Sequence, residues 1–425
     1  MKKIGFLKSA AACAMALFCC ISANAEKKAP GDLIDAKAFE KTVDGKAVSL
    51  YTITNGRITA QITNYGGYIV GIYTPDKDGN YDNVVGHNDT IDQYMGFSMN
   101  PTGAALGRYA NRIANATFTL DGVKYEVTRN NGQHMLHGGS KGFDHTVWDV
   151  DKVTEDALVL SCTLADGLDG FPGNIKTILT FSITEDDGVS ISYKATTDKP
   201  TVCSLSHHVY FNLTGFAEPD MLSQILMVNA DKITEADATN IPTGNYIPVE
   251  GTVYDFRQPV KLSDRQVPSP AMSFGGPRPG AGGPGAPGAG APNGPRPGAG
   301  APPAGAPNGP RPGAGGPGGP GAGARPAQQP VPEGMVRSYD HNFVLNHKVA
   351  GAIEPVASLY APSTGRMMEV LNNHPGMQIF TGNRLAIAME SQMFPDSPNH
   401  PDFPSTTLRP GETYTHTVIY RFSTK

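Results

Sequence analysis

Apolar and polar residues alternate with a period of two along most of this chain. That period marks strands, because successive side chains of a strand point to opposite faces of a sheet. Val48 to Thr54 alternates in this way, and Arg57 to Tyr73 is dense in Ile, Val, Thr and Tyr, which suit a pleated surface. "TFTLDGVKYEV", from Thr117 to Val127, reads as a hairpin whose Asp121-Gly122 supplies the positive φ angles of a tight turn. "TILTFSITEDDGVSISYKATT" repeats the design around Asp187-Gly188, and "DALVLSCTL" and "TYTHTVIYRF" add further strands. Long stretches of helical period are absent, and Ala36 to Val43 offers one short helix at most. The pattern predicts an all-β chain folded as a large antiparallel β-sandwich.

Two stretches depart from it. Lys2, Lys3 and Lys8 precede an apolar run from Ala10 to Ile21, followed by Ala23-Asn24-Ala25. This is the layout of a cleavable export signal, with cleavage expected after Ala25 and a periplasmic or secreted destination. The run is too short to span a bilayer, and no other stretch is apolar enough to do so. Leu17-Phe18-Cys19 is a poor lipoprotein signal, since a bulky residue precedes the cysteine. The second departure lies between Gly275 and Gln329, where the chain is almost entirely Pro, Gly and Ala, with four arginines and no acid. Gly does not recur at every third position as a collagen helix requires. The phrase GPRPGAG recurs at Gly276, Gly294 and Gly309, which points to growth by duplication. So little apolar side chain cannot offset chain entropy, and the sequence predicts an extended, disordered tract. Capture of a partner through its Pro-Arg-Pro steps is the alternative.

Loss of residues 1–25 removes three lysines and no acids, which moves the net charge from −5 to −8. That argues against nucleic acid as a partner. Cys13, Cys19 and Cys20 leave with the signal. Cys162 and Cys203 remain, as a disulfide or as two core residues, and their spacing matches no metal site.

Several stretches carry polar groups that strands do not need: "GRYANRI" (Gly107 to Ile113), "HMLHGG" (His134 to Gly139), "SHHVYFNL" (Ser206 to Leu213), "SYDHNF" (Ser338 to Phe343) and "AMESQMFPDSPNHPDFP" (Ala388 to Pro404). Taken singly, each has a structural explanation. A lone His in a β protein is more often hydrogen-bonded than catalytic, Arg112 suits a surface and Asp340 suits a turn. His134 and His137 are three apart, a spacing that places strand residues on opposite faces and argues against a shared metal. Glu390 makes the better case, because a carboxylate in an apolar strand is costly to bury unless it is paired or its pKa is raised.

In this order, over nearly the whole mature chain, these stretches resemble the aldose 1-epimerase (galactose mutarotase) family. "GRYANRI" is similar to that family's G-R-x-A-N-R-I, "LHGGSKGFD" to L-H-G-G-x-x-G-F-D, and "SHHVYFNL" to T-N-H-x-Y-F-N-L with His207 in place of Asn. "DGLDGFPGN", "GTVYDFRQP" and "RPGETYTH" are similar to further family landmarks. The resemblance implies a β-supersandwich with one open sugar cleft, in which His208 is the general acid and Glu390 the general base. Asn111, Arg112, His137, Tyr210, Asp340 and Gln378 would hold the sugar. The expected partner is a free aldose such as galactose or glucose, taken up by a monomer. No metal or redox cofactor is required by the chemistry. Some bacterial relatives are associated with Ca²⁺, although no Ca²⁺ loop is evident. His207, beside the acid, could shift its pKa or alter contacts to hydroxyls.

Two rival classes stay open. A glycoside hydrolase would use Asp340 and Glu390 as its carboxylate pair and release reducing sugar. A sugar-binding module would bind without hastening mutarotation, but it needs no acid–base couple. A relative acting on sugar phosphates is less expected of an exported protein. Family-like motifs flank the proline-rich tract, so residues 266–335 read as an insertion in a surface loop of one domain spanning 26–425. Because the tract ends close to Asp340, a lid over the cleft is the other reading.

Overall fold

The strands expected from alternation assemble into three main antiparallel sheets in a computed structural model, which describes residues 30–96, 102–218, 220–268 and 331–425. The signal segment and the proline- and glycine-rich tract from 269 to 330 lie outside the described residues. A nine-stranded sheet runs in the order Asp149–Val153, Ala157–Leu164, Ile175–Ile183, Gly188–Thr197, Tyr414–Thr424, Arg366–Asn372, Glu354–Ala361, Ile225–Val228, Val260–Lys261. A six-stranded sheet runs Tyr210–Phe211, Ile387–Gln392, Gly376–Phe380, Asp340–Leu345, Ala230–Ala236, Pro242–Pro248. Leu50–Thr54, Thr59–Thr63, Ile69–Pro75 and Tyr81–Asn83 form a four-stranded sheet.

Alternation explains the packing. Along Ile175–Ile183 every second residue is buried, and these face the same core as Leu158 and Leu160. That core also takes Phe343, Met377, Ile379, Ile387 and Met389 from the six-stranded sheet and Ile53, Ile62 and Ile72 from the four-stranded one. Removal of this apolar surface from water is the main force holding the layers together. The predicted hairpin at Thr117 is present, with strands Thr117–Leu120 and Val123–Glu126 and left-handed Asp121 and Gly122 between them. In the longer hairpin Asp187 has a φ of 63°, but Gly188 already opens the following strand. Ala36–Phe39 is a single 3-10 turn, and the chain then enters the strand Lys41–Val43. A short α-helix, Ile91–Gly96, leaves no trace in the sequence pattern because six residues cannot display a helical period. Cys162 and Cys203 are both buried and unbonded, each serving as a core residue.

Gln266 and Val336, on either side of the tract, form a parallel bridge: Val267 N–H donates to Val336 O at 3.0 Å and Val336 N–H to Arg265 O at 2.9 Å. The chain therefore leaves and rejoins the described structure at one place.

Candidate active site

Register places the site on one face of the six-stranded sheet. Residues directly paired across strands share a face. Tyr210 pairs with Ala388, Ala388 with Phe380 and Phe380 with Asp340, forming one row. The next row is Glu390, Gln378 and Asn342, and the one after is Gln392, Gly376 and Val344. The opposite face of the same strands carries Met389, Ile379, Met377 and Phe343 into the core. Sequence alternation thus sorts one sheet into an apolar face and a chemical one.

Loops bring the remaining groups over this face. Ser206 and His207 pair with Leu106 and Ala105, and His208 continues that pairing with its N–H on Ala104 O at 2.9 Å. Asn111 and His137 both adopt left-handed backbone, with φ of 64° and 55°. They hold one another: Asn111 N–H donates to His137 Nδ1 at 3.2 Å and His137 N–H to Asn111 O at 3.0 Å. Such strain persists only where its surroundings fix it. The glycine after His137 is obligatory, since a Cβ on Gly138 would lie 2.2 Å from Gly107 O. Asp396, in the loop after Glu390, fastens the arginine segment. Its carboxylate accepts from Ala114 N–H at 2.9 Å and its own N–H donates to Arg112 O at 2.8 Å. Arg108 is a fastener rather than a site residue, donating to Pro172 O, Gly173 O and Thr201 Oγ1 while fully buried.

At the centre, His208 Nε2 lies 3.4 Å from Glu390 Oε1, with both side chains almost wholly buried. Tyr210 stacks on His208 at 4.8 Å between ring centroids, and the His137 ring meets it edge-on at 5.3 Å. Burial and the nearby Asp340 carboxylate push Glu390 well above the usual carboxylate range, against the pull of Arg112. Burial pushes the His208 imidazole down to about 3. Both shifts have burial as their first cause, since a charge removed from solvent is costly. Both directions favour the uncharged forms of the pair, a carboxylic acid beside a neutral imidazole. His137 is likewise pushed well below its ordinary value by burial, then by His208 and Arg112. Since its Nδ1 accepts a backbone N–H, its Nε2 carries the hydrogen and is a donor.

Asp340 forms the second focus. Its Oδ1 accepts from Gln378 Nε2 at 2.5 Å, and its Oδ2 from Asn240 Nδ2 at 2.9 Å and Arg112 Nη2 at 3.4 Å. Arg112 also reaches Asn111 Oδ1 at 3.5 Å. His208, Glu390, His137 and Tyr210 thus surround one focus, and Asp340, Arg112, Asn111 and Gln378 the other. Asn240, Asn342, Gln392 and Phe380 are further groups on this face or at its rim that the motifs did not single out. His207 points elsewhere, with Nδ1 against Tyr193 Oη at 2.8 Å and its ring edge-on to Phe181.

Among the described residues, His137, His208 and Glu390 form a cluster whose candidate ligand atoms lie within 4.8 Å of one another. They do not fit calcium, which takes six to eight oxygens, because the trio offers a single carboxylate. The His137 tautomer also withholds the Nε2 lone pair from any metal set among the three.

The aldose 1-epimerase family profile matches residues 49–270 and 323–421. The chain belongs to the aldose 1-epimerase family. Relatives within reach include the galactose mutarotase of Sus scrofa, 28% identical over 393 residues that span 88% of this chain and 94% of that protein. The aldose 1-epimerase of Escherichia coli K12 is 27% identical over 397 residues, 89% and 96% of the two chains. Among solved structures, an aldose epimerase homologue from C. elegans superposes with a TM-score of 0.69 at 23% identity, covering 89% of this chain and 99% of that one. Galactose 1-epimerase from Lactobacillus acidophilus gives 0.64 at 20% identity, covering 90% and 97%. These superpositions establish an aldose 1-epimerase fold built on antiparallel sheets. Among the described residues no helix is long and apolar enough to cross a membrane.

Proposed function

We propose that this protein is an aldose 1-epimerase that interconverts the α- and β-anomers of free aldohexoses such as galactose and glucose. The 3.4 Å approach of His208 Nε2 to Glu390 Oε1 carries the proposal. In a cyclic sugar O1 and O5 are bonded to the same carbon, so an acid and a base acting on them must converge on a single point.

With Glu390 ionised and His208 protonated, the carboxylate takes the proton from the C1 hydroxyl. The C1–O5 bond breaks, C1=O1 forms, and O5 takes the proton from His208 Nε2. Rotation about C1–C2 presents the other face of the aldehyde. O5 then attacks C1 and returns its proton to His208, while O1 takes the proton back from Glu390. The carboxylic acid and neutral imidazole favoured by burial are the state left after opening, and the ion pair that begins it differs from them by one proton moved across the 3.4 Å contact. Each positioned proton-transfer group typically contributes ~10²–10⁴ in rate. Asp340, Arg112, Gln378, Asn111 and the His137 Nε2–H hold the hydroxyls, and Tyr210 lines the wall beside His208.

The hydrolase reading is less well supported. Asp340 accepts hydrogen bonds from three protein donors, an arrangement suited to gripping a hydroxyl rather than to delivering a proton to a leaving group. Export is part of the proposal, and amino-terminal sequencing of the mature protein should begin at Glu26. Polarimetry on freshly dissolved α-D-galactose and α-D-glucose tests the activity. Acceleration of the drift to equilibrium supports it, and sugar binding without acceleration points instead to a binding module.

A further inference from the structure

Two buried amides on this face, Asn342 in the row of Gln378 and Gln392 in the row behind it, have no role in the reaction. Gln392 lies two residues beyond Glu390 on the same strand and so on the same face. Asn342 lies two beyond Asp340. Both are fully removed from solvent. Gln392 Nε2 donates to Gln378 Oε1 and to Asn342 Oδ1, each at 3.4 Å, and Gln378 Nε2 in turn donates to Asp340 Oδ1 at 2.5 Å. The space for Asn342 comes from the absence of a side chain opposite, since a Cβ on Gly376 would lie 2.5 Å from Asn342 Oδ1.

We propose that Gln392 is a positioning residue for the sugar-holding carboxylate, fixing the Gln378 amide so that its NH₂ faces Asp340. The inference rests on the reading of Asp340 and Gln378 as hydroxyl-holding groups. The direction of the relay follows from its chemistry. Asp340 Oδ1 takes the Gln378 NH₂, which turns Gln378 Oε1 towards Gln392, and there a Gln392 amide rotated by half a turn would set oxygen against oxygen. The Gln392 NH₂ therefore locks the Gln378 amide in the orientation that serves Asp340. The arrangement leaves Gln392 Oε1 and Asn342 Nδ2 buried without a protein partner. Unpaired buried polar atoms are costly, and an apolar pair of the same shape would serve packing better.

Gln392→Met keeps the volume and removes the donor. It should raise the KM for galactose roughly tenfold, the usual effect of one lost hydrogen bond, with a smaller change in kcat. Gln392→Glu should behave as wild type at acid pH, where the carboxyl can donate, and like the Met variant at alkaline pH, where it can only accept. This KM transition should be absent from wild type and from Gln392→Met. Galactose affinity by calorimetry should follow the same pattern without relying on turnover. A folded Gln392→Met protein with wild-type KM, or a Gln392→Glu protein whose KM does not vary with pH in this way, would overturn the relay. Wild-type protein that neither turns over nor binds free aldohexoses would instead overturn the functional reading on which the relay depends.

Discussion

His208 and Glu390 face each other at 3.4 Å although they come from different parts of the chain, one from a loop-bound segment and the other from a central strand. The second carboxyl oxygen of Glu390 is buried without a protein partner. That costs stability and is suited to a group that must meet a substrate hydroxyl. Glu390→Gln and His208→Asn should each lower the mutarotation rate by ~10²–10⁴. Their melting temperatures should stay close to wild type. Near wild-type rates in either variant would remove that residue from the acid–base pair.

Asp340→Asn should raise the KM for galactose and lower kcat, together roughly ten- to a hundredfold in kcat/KM. A charged acceptor holds a hydroxyl more strongly than a neutral one, and the new NH₂ would face Gln378, Asn240 or Arg112 as donor against donor. Steady-state polarimetry beside a thermal melt separates the roles. Intact kinetics with a lowered melting temperature would make Asp340 structural.

Acid should unfold this protein through its buried imidazoles. Burial pushes His207 and His208 down to about 3 and His374 to about 4, while His137 and His416 lie well below their ordinary value. A folded-state pKa below the unfolded one means that the unfolded chain takes up protons first. The stability these groups contribute is present above about pH 6.5 and is lost as pH falls towards 3–4. Each such group steepens the loss by ~1.4 kcal/mol per pH unit within that window. Glu390, whose pKa is raised, works in the opposite direction, losing stability as pH rises. Denaturant titrations from pH 7 to 4 should show the decline, and His374→Gln should flatten it.

Replacement of Gly275–Gln329 by a short Gly-Ser linker should leave activity near wild type and slightly raise stability. The bridge between Gln266 and Val336 closes the neck from which the tract departs. The family profile stops at 270 and resumes at 323. Loop-closure cost grows only by ~0.6 kcal/mol per doubling of length, so two or three doublings amount to about 1–2 kcal/mol. A large change in KM or kcat on deletion would give the tract a part in the reaction.

The legible parts of this protein are those where one face of an element differs from the other. The Asp121-Gly122 turn and the strand Ile175–Ile183 fall where alternation and turn chemistry put them. The six-stranded sheet was harder, because "DHNF", "MQIF" and "MESQ" carry polar residues on a face that looks solvent-directed in sequence and is buried in the fold. Motif resemblance singled out Asp340, Gln378 and Glu390 there. Asn342 and Gln392 stand two residues from Asp340 and Glu390, and strand period alone would have placed them on the same face. Asn240 lies on a loop about a hundred residues from Asp340 in sequence, and only the folded chain brings it near. His207 shows the reverse case. Adjacent in sequence to His208, it points to Tyr193 and Phe181, so His207→Asn should alter stability while leaving the preference between galactose and glucose unchanged.

The rows across the six-stranded sheet give this face a built-in ruler. Glu390, Gln378 and Asn342 are direct cross-strand partners, so their separations are set by the main-chain spacing of ~4.8 Å between neighbouring strands and not by the settling of a loop. A scale fixed by backbone hydrogen bonds cannot be stretched by exchanging side chains on it. Retuning this scaffold for a longer or differently branched sugar therefore has to be done off the ruler, at the loop residue Asn240 and the left-handed corner of Asn111 and His137.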